Sequence, residues 1–224
     1  MEREVWAGFC RGLSERAQAA VPPVVFGAGR TELLGRVGRV AVVGSRAATP
    51  AGLGRAGRFA RAVVEAGGVV VSGLAEGIDG AAHRAALAAR GDTIAVLGTP
   101  LDRCSPAAHR SLQETLGREG LVLSQFPAGL PTRPYHFLQR NLTLALLSHG
   151  VFIAEAGDGS GSQKMAQLAL DWGIPLALSA EWLEQARGVW PQTMLLQGAT
   201  ALPESGWRDW IAARGARYAN LGSS

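Results

Sequence analysis

The sequence predicts an α/β fold that is doubly wound, with a mostly parallel sheet covered by helices on both faces. Short apolar runs of strand length alternate with stretches of helical length along most of the chain. These runs are continuously apolar, which is typical of strands buried on both faces of a parallel sheet. Glycine-rich and serine-rich loops follow several of the runs, and in this class of sheet the ligands bind at the loops after the strands.

The apolar runs of strand length are taken as the strands of this sheet. In chain order they are Val40–Val43, Val69–Val71, Thr93–Leu97, Leu121–Leu123, Val151–Ala154 and Pro175–Leu178. Right-handed crossovers would join them as parallel neighbours. The stretch from Val24 to Gly35 is predicted to be a connecting segment, and residues 181–224 show a less regular pattern.

Helices are predicted between these strands and towards both ends of the chain. The predicted ranges are 51–66, 78–90, 106–118, 137–148, 163–172 and 207–214. The first twenty residues are amphipathic, and Val21-Pro22-Pro23 would end a helix there. We therefore expect an N-terminal helical segment over 1–21, one α/β domain over 22–202, and a C-terminal helix with a frayed tail over 203–224.

The composition excludes several classes of protein. The chain has 224 residues, 47% of them hydrophobic, which excludes a wholly disordered chain. No apolar run is long enough to cross a bilayer, and Met1–Glu4 lead into no apolar stretch, so we expect neither a transmembrane helix nor a signal peptide. The two cysteines, Cys10 and Cys104, cannot form a disulfide framework. These features favour a cytoplasmic location.

The charge is basic and is carried almost wholly by arginine. Lysine and arginine number 22 against 18 acidic residues, and Lys164 is the single lysine. The planar arginine fork suits phosphates and bases. A GC-rich genome would also explain the abundance of alanine, glycine and arginine, and on composition alone the two explanations weigh equally. The charge permits a polyanionic partner without requiring one.

The loop after the first predicted strand has features of an anion site. Gly44 allows a tight turn and the close approach of a ligand, while Thr49 can cap the next helix with Pro50 as its first residue. The N–H groups at that helix start would favour an anion, and Arg46 could pair with a phosphate. Gly44 and Thr49 are explained equally well by the turn itself, whereas Arg46 favours a functional role.

The loop after the second predicted strand places Ser72, Gly73 and Gly77 between strand and helix. Asp79 is predicted to cap that helix. His83 follows one turn later and could face the same way, which would bring an acid–base pair together. Asp79 and His83 could therefore be a catalytic acid–base pair or a hydrogen-bonded pair with a structural role, and the structural role is the better interpretation.

Two further segments carry polar groups towards the same edge of the sheet. Gly157–Lys164 is rich in glycine and serine and could form a phosphate nest, although its spacing is not that of a P-loop. Glu155 could accept from a base or a ribose hydroxyl, or could be a structural acid. Pro134–Asn141 mixes aromatic, cationic and amide side chains, as contacts with exposed bases require. An ordinary helix start with Phe137 in the core is an equal alternative.

Several motifs of cofactor-dependent and catalytic proteins are absent. The first predicted strand is not followed by Gly-x-Gly-x-x-Gly, and Ser72 stands where a dinucleotide-binding sheet has its ribose-binding acid. The sequence also lacks a Gly-x-Ser-x-Gly elbow and a His-x-x-x-His metal pair. These absences disfavour NAD binding, and we expect no cofactor and no metal.

Motifs in a fixed order extend over residues 22–202. They are Val40–Arg46, Val71–Asp79 with His83, Thr93–Gly98 with Leu101 and Asp102, Ser124 with Pro127, His136 and Phe137 with Arg140 and Asn141, Glu155 with Ala156, Ser160–Ser162, and Gly188 with Leu195–Ala199. Together they resemble the DprA/Smf family of DNA-processing proteins. Glu76 departs from the resemblance, because the family usually has arginine at that position.

The resemblance implies a Rossmann-like domain that binds single-stranded DNA at these loops and is not an established enzyme. It also implies a homodimer that acts in DNA uptake, natural transformation and homologous recombination, where it helps to load the RecA recombinase. The residues that it assigns to phosphate and DNA are Gly44, Ser45, Arg46, Ser72, Gly73, Gly77, Asp79, Phe137, Arg140, Asn141, Ser160, Gly161 and Ser162, and Lys164 adds a cation in the third loop.

Two alternative functions stay open at the level of sequence. One is a nucleotide-binding sensor or enzyme related to the nucleoside-monophosphate phosphoribohydrolases, in which Glu155, Asp79 and His83 would supply the acid–base groups. The Pro-Gly-Gly-x-Gly-Thr-x-x-Glu signature of those enzymes is missing. The other is a partner-binding protein whose pocket has lost its ligand, an interpretation that Glu76 supports.

Overall fold

A computed structural model describes residues 15–219 of the chain. Its strands form one sheet in the order β1-β5-β4-β3-β2-β6-β7-β8. The strands are β1 (Phe26–Gly29), β2 (Arg39–Val43), β3 (Val69–Ser72), β4 (Thr93–Leu97), β5 (Leu121–Ser124), β6 (Gly150–Ile153), β7 (Leu176–Ser179) and β8 (Thr200–Leu202). All neighbours are parallel except β1, which runs antiparallel to β5. The predicted α/β fold with a mostly parallel sheet is confirmed.

Seven of the nine α-helices of the described residues lie between strands, whereas the first precedes β1 and the last follows β8. The helices are α1 (Glu15–Ala19), α2 (Pro50–Glu65), α3 (Ile78–Ala88), α4 (Arg110–Glu119), α5 (Pro134–Leu147), α6 (Gly161–Asp171), α7 (Ala180–Leu183), α8 (Trp190–Leu196) and α9 (Trp207–Ala219). The start of the predicted N-terminal helix, residues 1–14, lies outside the described part of the chain. Helix α5 begins three residues before the predicted start at Phe137, because proline is tolerated in the first turn of a helix.

Two strands were not predicted, and both lie at the edges of the sheet. All four residues of β1 are exposed and two of them are glycines, so no apolar run marks the strand. Strand β8 has three residues, of which only Leu202 is buried. An edge strand buries less surface than a central one, and its sequence therefore carries a weaker hydrophobic signal.

Apolar side chains fill the space on both faces of the sheet. One core unites alternate strand residues with α5, α6 and α8 and includes Leu144 and Met165. The opposite core packs the sheet against α2, α3 and α9. In that layer the ring of Phe59 stacks on Phe152 at 3.8 Å, and Trp207 meets Phe59 edge-on at 5.1 Å. The two cores hold the strands fixed and so position the loops at their ends.

The order of the strands reverses beside β2. Strands β3, β4 and β5 add successively on one side of it, whereas β6, β7 and β8 add on the other. The switch point therefore lies between β2 and β6. The loop 44–49 after β2 and the loop 154–160 after β6 lead away from this point to opposite faces, which leaves a crevice between them.

Candidate nucleic-acid interface

A cleft of about 810 Å³ opens at this switch point. Its walls come from the loop after β2, the first turns of α5 and the loop that leads into α6. Most of the predicted site residues line it, namely Gly44, Ser45, Arg46, Asp79, Phe137, Arg140, Asn141, Ser160, Gly161 and Ser162. Residues that are far apart in sequence meet here because the carboxyl ends of parallel strands share one edge of the sheet.

The cleft also has lining residues that the sequence analysis missed. Arg133 is exposed just before Pro134, and Ser105 comes from the loop after β4. Leu138, Leu144 and Met165 give the cleft an apolar side. Arg133 could have been found from its position, since the residue before the first turn of α5 lies at the same edge of the sheet as the strand ends.

Arg46 and Phe137 form the central pair of the cleft. Arg46 is exposed, and its guanidinium carbon lies 5.3 Å from the centre of the Phe137 ring. A Cβ atom at Gly98 would lie only 2.5 Å from the Phe137 ring, so the glycine makes room for the aromatic side chain. The pair presents a cation and an aromatic face together, a combination that suits a phosphate beside a stacked base.

A smaller cavity of about 170 Å³ adjoins the cleft, and Arg46, Phe137 and Arg140 line both spaces. We call this cavity the annex. Glu76 and Gly73 also line the annex, and Glu76 is exposed. A carboxylate therefore lies beside the cations of the site, at the position where the sequence departs from the DprA/Smf pattern.

Arg140 brings a buried positive charge to the floor of the cleft. The residue is 5% exposed, and its Nη1 donates to the backbone oxygen of Val96 at 2.9 Å. Its Nε is buried with no hydrogen-bond partner in the described part of the chain. Burial lowers the pKa of Arg140, and the nearby Asp79 opposes that effect. A Cβ atom at Gly73 would lie 1.5 Å from Nη1, so the guanidinium fits only because residue 73 is glycine.

Asp79 organises the loop that holds Arg140 in place. Its Oδ2 accepts from the backbone N–H groups of Gly73 at 3.2 Å and Ala75 at 3.4 Å, and lies 4.0 Å from Nη1 of Arg140. Burial raises the pKa of Asp79, while Arg140 acts to lower it. The prediction that Asp79 caps α3 is wrong, because Gly77, at φ 72°, is the N-cap and Asp79 lies inside the helix.

The predicted acid–base pair of Asp79 and His83 is not formed. His83 is fully buried, and its Nδ1 is 2.8 Å from the hydroxyl of Thr93. Burial lowers the pKa of His83 to about 3, so its ring is neutral at physiological pH. His83 is therefore a buried residue bonded to Thr93, and the predicted hydrogen-bonded pair with Asp79 is wrong as well.

Glu155 is tied to the start of α2 and does not line the cleft. Its carboxylate accepts from the backbone N–H of Thr49 at 2.8 Å and from the Thr49 hydroxyl, and it pairs with Nη2 of Arg55 at 3.2 Å. Thr49 caps α2 and Pro50 is the first helical residue, as predicted. The expectation that this helix start is open to an external anion is wrong, because the protein's own carboxylate occupies it.

The start of α6 faces the cleft instead. Ser160 is its N-cap and accepts from the backbone N–H of Gln163 at 3.2 Å, and the side chain of Gln163 accepts from Gly159 at 2.8 Å. Asn141 donates to the backbone oxygen of Gly161 at 3.4 Å, which ties α5 to this loop. Backbone N–H groups at a helix start favour negative charge.

Three predicted residues line neither the cleft nor the annex. Ser72 is fully buried and donates to the backbone oxygen of Val42 at 2.6 Å. Gly77 allows the loops after β2 and β3 to touch, because a Cβ atom there would lie 2.2 Å from the Ser45 oxygen. Lys164 is exposed on α6 and does not line the cleft. Ser72 and Gly77 thus support the site from behind.

The described part of the chain has neither a metal-binding cluster nor a membrane-spanning helix. Within residues 15–219 no cluster of three His, Cys, Asp or Glu side chains is placed to hold a metal ion. In the same range every helix is too short or too polar to cross a membrane.

The chain matches a known family over most of its length. The family model described as DNA recombination-mediator protein A matches residues 9–207. The chain belongs to this family. DNA recombination-mediator protein A is the family that the sequence motifs indicated, so the resemblance to DprA/Smf is confirmed.

Similar members of this family come from several bacteria. DprA from Streptococcus pneumoniae is 43% identical over 152 residues, which cover 68% of this chain and 53% of the relative. Protein Smf from Escherichia coli is 36% identical over 167 residues, covering 74% of this chain and 45% of the relative. The chain spans about half the length of the curated relatives it matches.

Solved structures show the same fold. The crystal structure of Streptococcus pneumoniae DprA superposes with a TM-score of 0.74 at 36% identity, covering 81% of this chain and 64% of that one. A structure of DprA from Helicobacter pylori, reported for its single-stranded DNA binding mode, gives a TM-score of 0.74 at 28% identity and covers 90% and 94%. A molybdenum cofactor binding protein from Rippkaea orientalis, at 21% identity and a TM-score of 0.56, shares the fold alone.

Proposed function

We propose that the cleft binds single-stranded DNA and that this chain acts as a DNA recombination-mediator protein. The observation that carries the proposal is the grouping of Arg46, Phe137 and Arg140 at the switch point between β2 and β6. A family member from Helicobacter pylori was reported for its single-stranded DNA binding mode. The cations and the aromatic ring that line the cleft support the proposal.

Each part of the cleft has a role in this proposal. Arg46 and Arg140 contact phosphates, and the start of α6 adds backbone N–H donors. Phe137 stacks on a base, which contributes about 1–3 kcal/mol per base and tolerates any sequence. Asn141 can contact a base edge or a sugar. Duplex DNA keeps its bases stacked inside, so the aromatic contact favours the single strand.

The wider role is part of the same proposal. The chain would act as a homodimer in the cytoplasm, in DNA uptake, transformation and homologous recombination, by helping to load the RecA recombinase. It would have no catalytic activity of its own. The nucleotide-hydrolase alternative is not favoured, since Glu155 is bound to Thr49 and Arg55 while His83 is buried.

The experiment is a salt series with a fluorescein-labelled oligo-dT, read by fluorescence polarisation. Arg46→Ala should weaken binding and reduce the slope of log K against log salt by about 0.7, the value for one phosphate contact on a single strand. Arg118→Ala is the matched control, because Arg118 is exposed near the end of α4, at the opposite edge of the sheet. It should change neither quantity.

The Lys164→Ala variant distinguishes DNA contacts inside the cleft from contacts outside it. Lys164 is exposed outside the cleft, so a contact there would require the strand to extend past α6. If Arg46→Ala and Arg118→Ala have equal effects, DNA is bound elsewhere and the cleft loses this function.

A further inference from the structure

Glu155 holds the place in which sheets of this class bind a ligand phosphate. We propose that this carboxylate is a built-in substitute for phosphate: it keeps the phosphate of a free nucleotide from the start of α2, so that the cleft beside it takes the phosphates of a nucleic-acid strand. The part that concerns the strand rests on the proposed function. The exclusion of free phosphate esters at α2 stands on its own geometry.

The donors around Glu155 are those of a phosphate site. The carboxylate receives the Thr49 N–H at 2.8 Å, the Thr49 hydroxyl, and Nη2 of Arg55 at 3.2 Å. These groups stand at the start of the helix that follows β2, the strand beside the switch point. Dinucleotide-binding sheets offer the same combination of helix start and nearby donors to a pyrophosphate.

The first turn of α2 fits closely around the Glu155 carboxylate, and we call this space the seat of the carboxylate. A Cβ atom at Gly52 would lie 2.3 Å from Oε2 of Glu155 and 2.7 Å from its Cδ, so the first turn of α2 touches the acid directly. The side chain of Glu155 is 12% exposed and that of Arg55 is 5% exposed. A buried guanidinium needs a negative partner, and here the chain provides that partner itself.

Charge then decides which phosphates can enter. The terminal phosphate of a free nucleotide carries between one and two negative charges at neutral pH and would meet the Glu155 carboxylate at α2. An internal phosphate of a strand carries a single charge and can use the cations on the other side of the cleft. Arg46 forms no ion pair within the described residues and is exposed there.

Glu155 also links the two loops of the switch point. Its backbone oxygen accepts from Ser45 at 2.8 Å, while its side chain holds Thr49, so it fixes both ends of the loop that carries Arg46. A loss of DNA affinity on substitution would follow from this link alone. The test therefore uses a gain of anion binding, which a merely structural role would not produce.

The first test is thermal unfolding of Glu155→Ala in inorganic phosphate, with sodium chloride at matched ionic strength as the reference. We expect the variant to be less stable than the wild type and to gain stability saturably with phosphate, because the anion fills the vacated seat beside Arg55. Glu204→Ala is the matched control, since Glu204 forms an exposed pair with Arg58 at 2.9 and 3.0 Å. Phosphate should not raise the thermal stability of Glu204→Ala.

The second test is competition by dTMP against labelled oligo-dT. The concentration of dTMP that displaces half of the probe should be at least about tenfold lower for Glu155→Ala than for the wild type, a shift of 1.4 kcal/mol. Glu155→Gln keeps the shape and an acceptor oxygen but removes the charge, and it decides the matter if the alanine variant does not fold. It should shift competition in the same direction.

The outcomes separate this inference from the proposed function. A folded Glu155→Ala that responds to phosphate as the wild type does overturns the inference, and so does a Glu155→Gln with unchanged dTMP competition. Failure of the wild type to bind oligo-dT would overturn the proposed function instead. The phosphate-dependent stability of Glu155→Ala would still be measurable in that case, because it involves no DNA.

Discussion

Replacing Gly73 by alanine should remove Arg140 from the floor of the cleft. The new Cβ atom would lie 1.5 Å from Nη1 and 2.2 Å from Cζ of Arg140, well inside contact distance. The guanidinium must move, and it then loses its bond to the Val96 oxygen, now 2.9 Å long. Gly73 cannot move away easily either, because its N–H is bound to Asp79.

The structure sets the size of the two effects. Overpacking a filled site costs about 1–3 kcal/mol. A buried carbonyl or charge left without its partner costs about 1–3 kcal/mol more. For DNA, a hydrogen bond to a charged group contributes about 1.5–3 kcal/mol, so displacing Arg140 should weaken binding about 10- to 100-fold.

The assay is a double-mutant cycle of Gly73→Ala and Arg140→Ala, with oligo-dT affinity and urea unfolding measured for all four proteins. The double variant should bind DNA as Arg140→Ala does, because alanine at 73 has then no guanidinium to displace. Gly57→Ala is the control. Gly57 lies within α2, and a Cβ atom there would lie 3.6 Å from the Cβ atom of Ala85 on α3, so the substitution should stabilise the fold by about 0.5–1 kcal/mol. Additive losses of affinity, or wild-type binding by a folded Gly73→Ala, would refute the role given to Arg140.

Three further predictions concern pH, charge and stacking. Burial lowers the pKa of His149 to about 3, below its ordinary value of 6.5, so its contribution to stability is complete above pH 6.5 and is lost as the pH falls towards 3. His149→Asn keeps an acceptor for the two backbone N–H groups that the ring binds. In urea titrations between pH 4 and 7, the substitution should flatten the slope of unfolding free energy against pH by about 1.4 kcal/mol per pH unit. An unchanged slope would contradict this prediction. Glu76→Arg in the annex should tighten oligo-dT binding at low salt and steepen the salt slope by about 0.7, whereas equal affinity would show that the strand does not reach the annex. Phe137→Ala should weaken oligo-dT by about 1–3 kcal/mol yet leave an abasic oligonucleotide unaffected, and equal losses for both would argue against stacking.

The central strands could be predicted from sequence because they are buried on both faces. Val69–Ser72 and Thr93–Leu97 have every residue buried, so burial imposes a continuous apolar run. The edge strand Phe26–Gly29 leaves all four residues exposed and carries no such run. Pairing with β5 makes it a strand, and that pairing is a tertiary contact.

The sequence by itself determined the sheet, its helices and the loops at which ligands bind, because each of these follows from local periodicity and from the common edge of parallel strands. Arg46 and Phe137 were found in this way. Only the tertiary structure decided which polar groups are free for a ligand. From their positions in the sequence, Glu155 and Arg140 were both predicted to face the crevice. In the structure Glu155 is bound to Thr49 and Arg55, whereas Arg140 reaches the floor of the cleft. The reason is that a polar group that loses water must find a partner, and the identity of that partner depends on residues a hundred positions away.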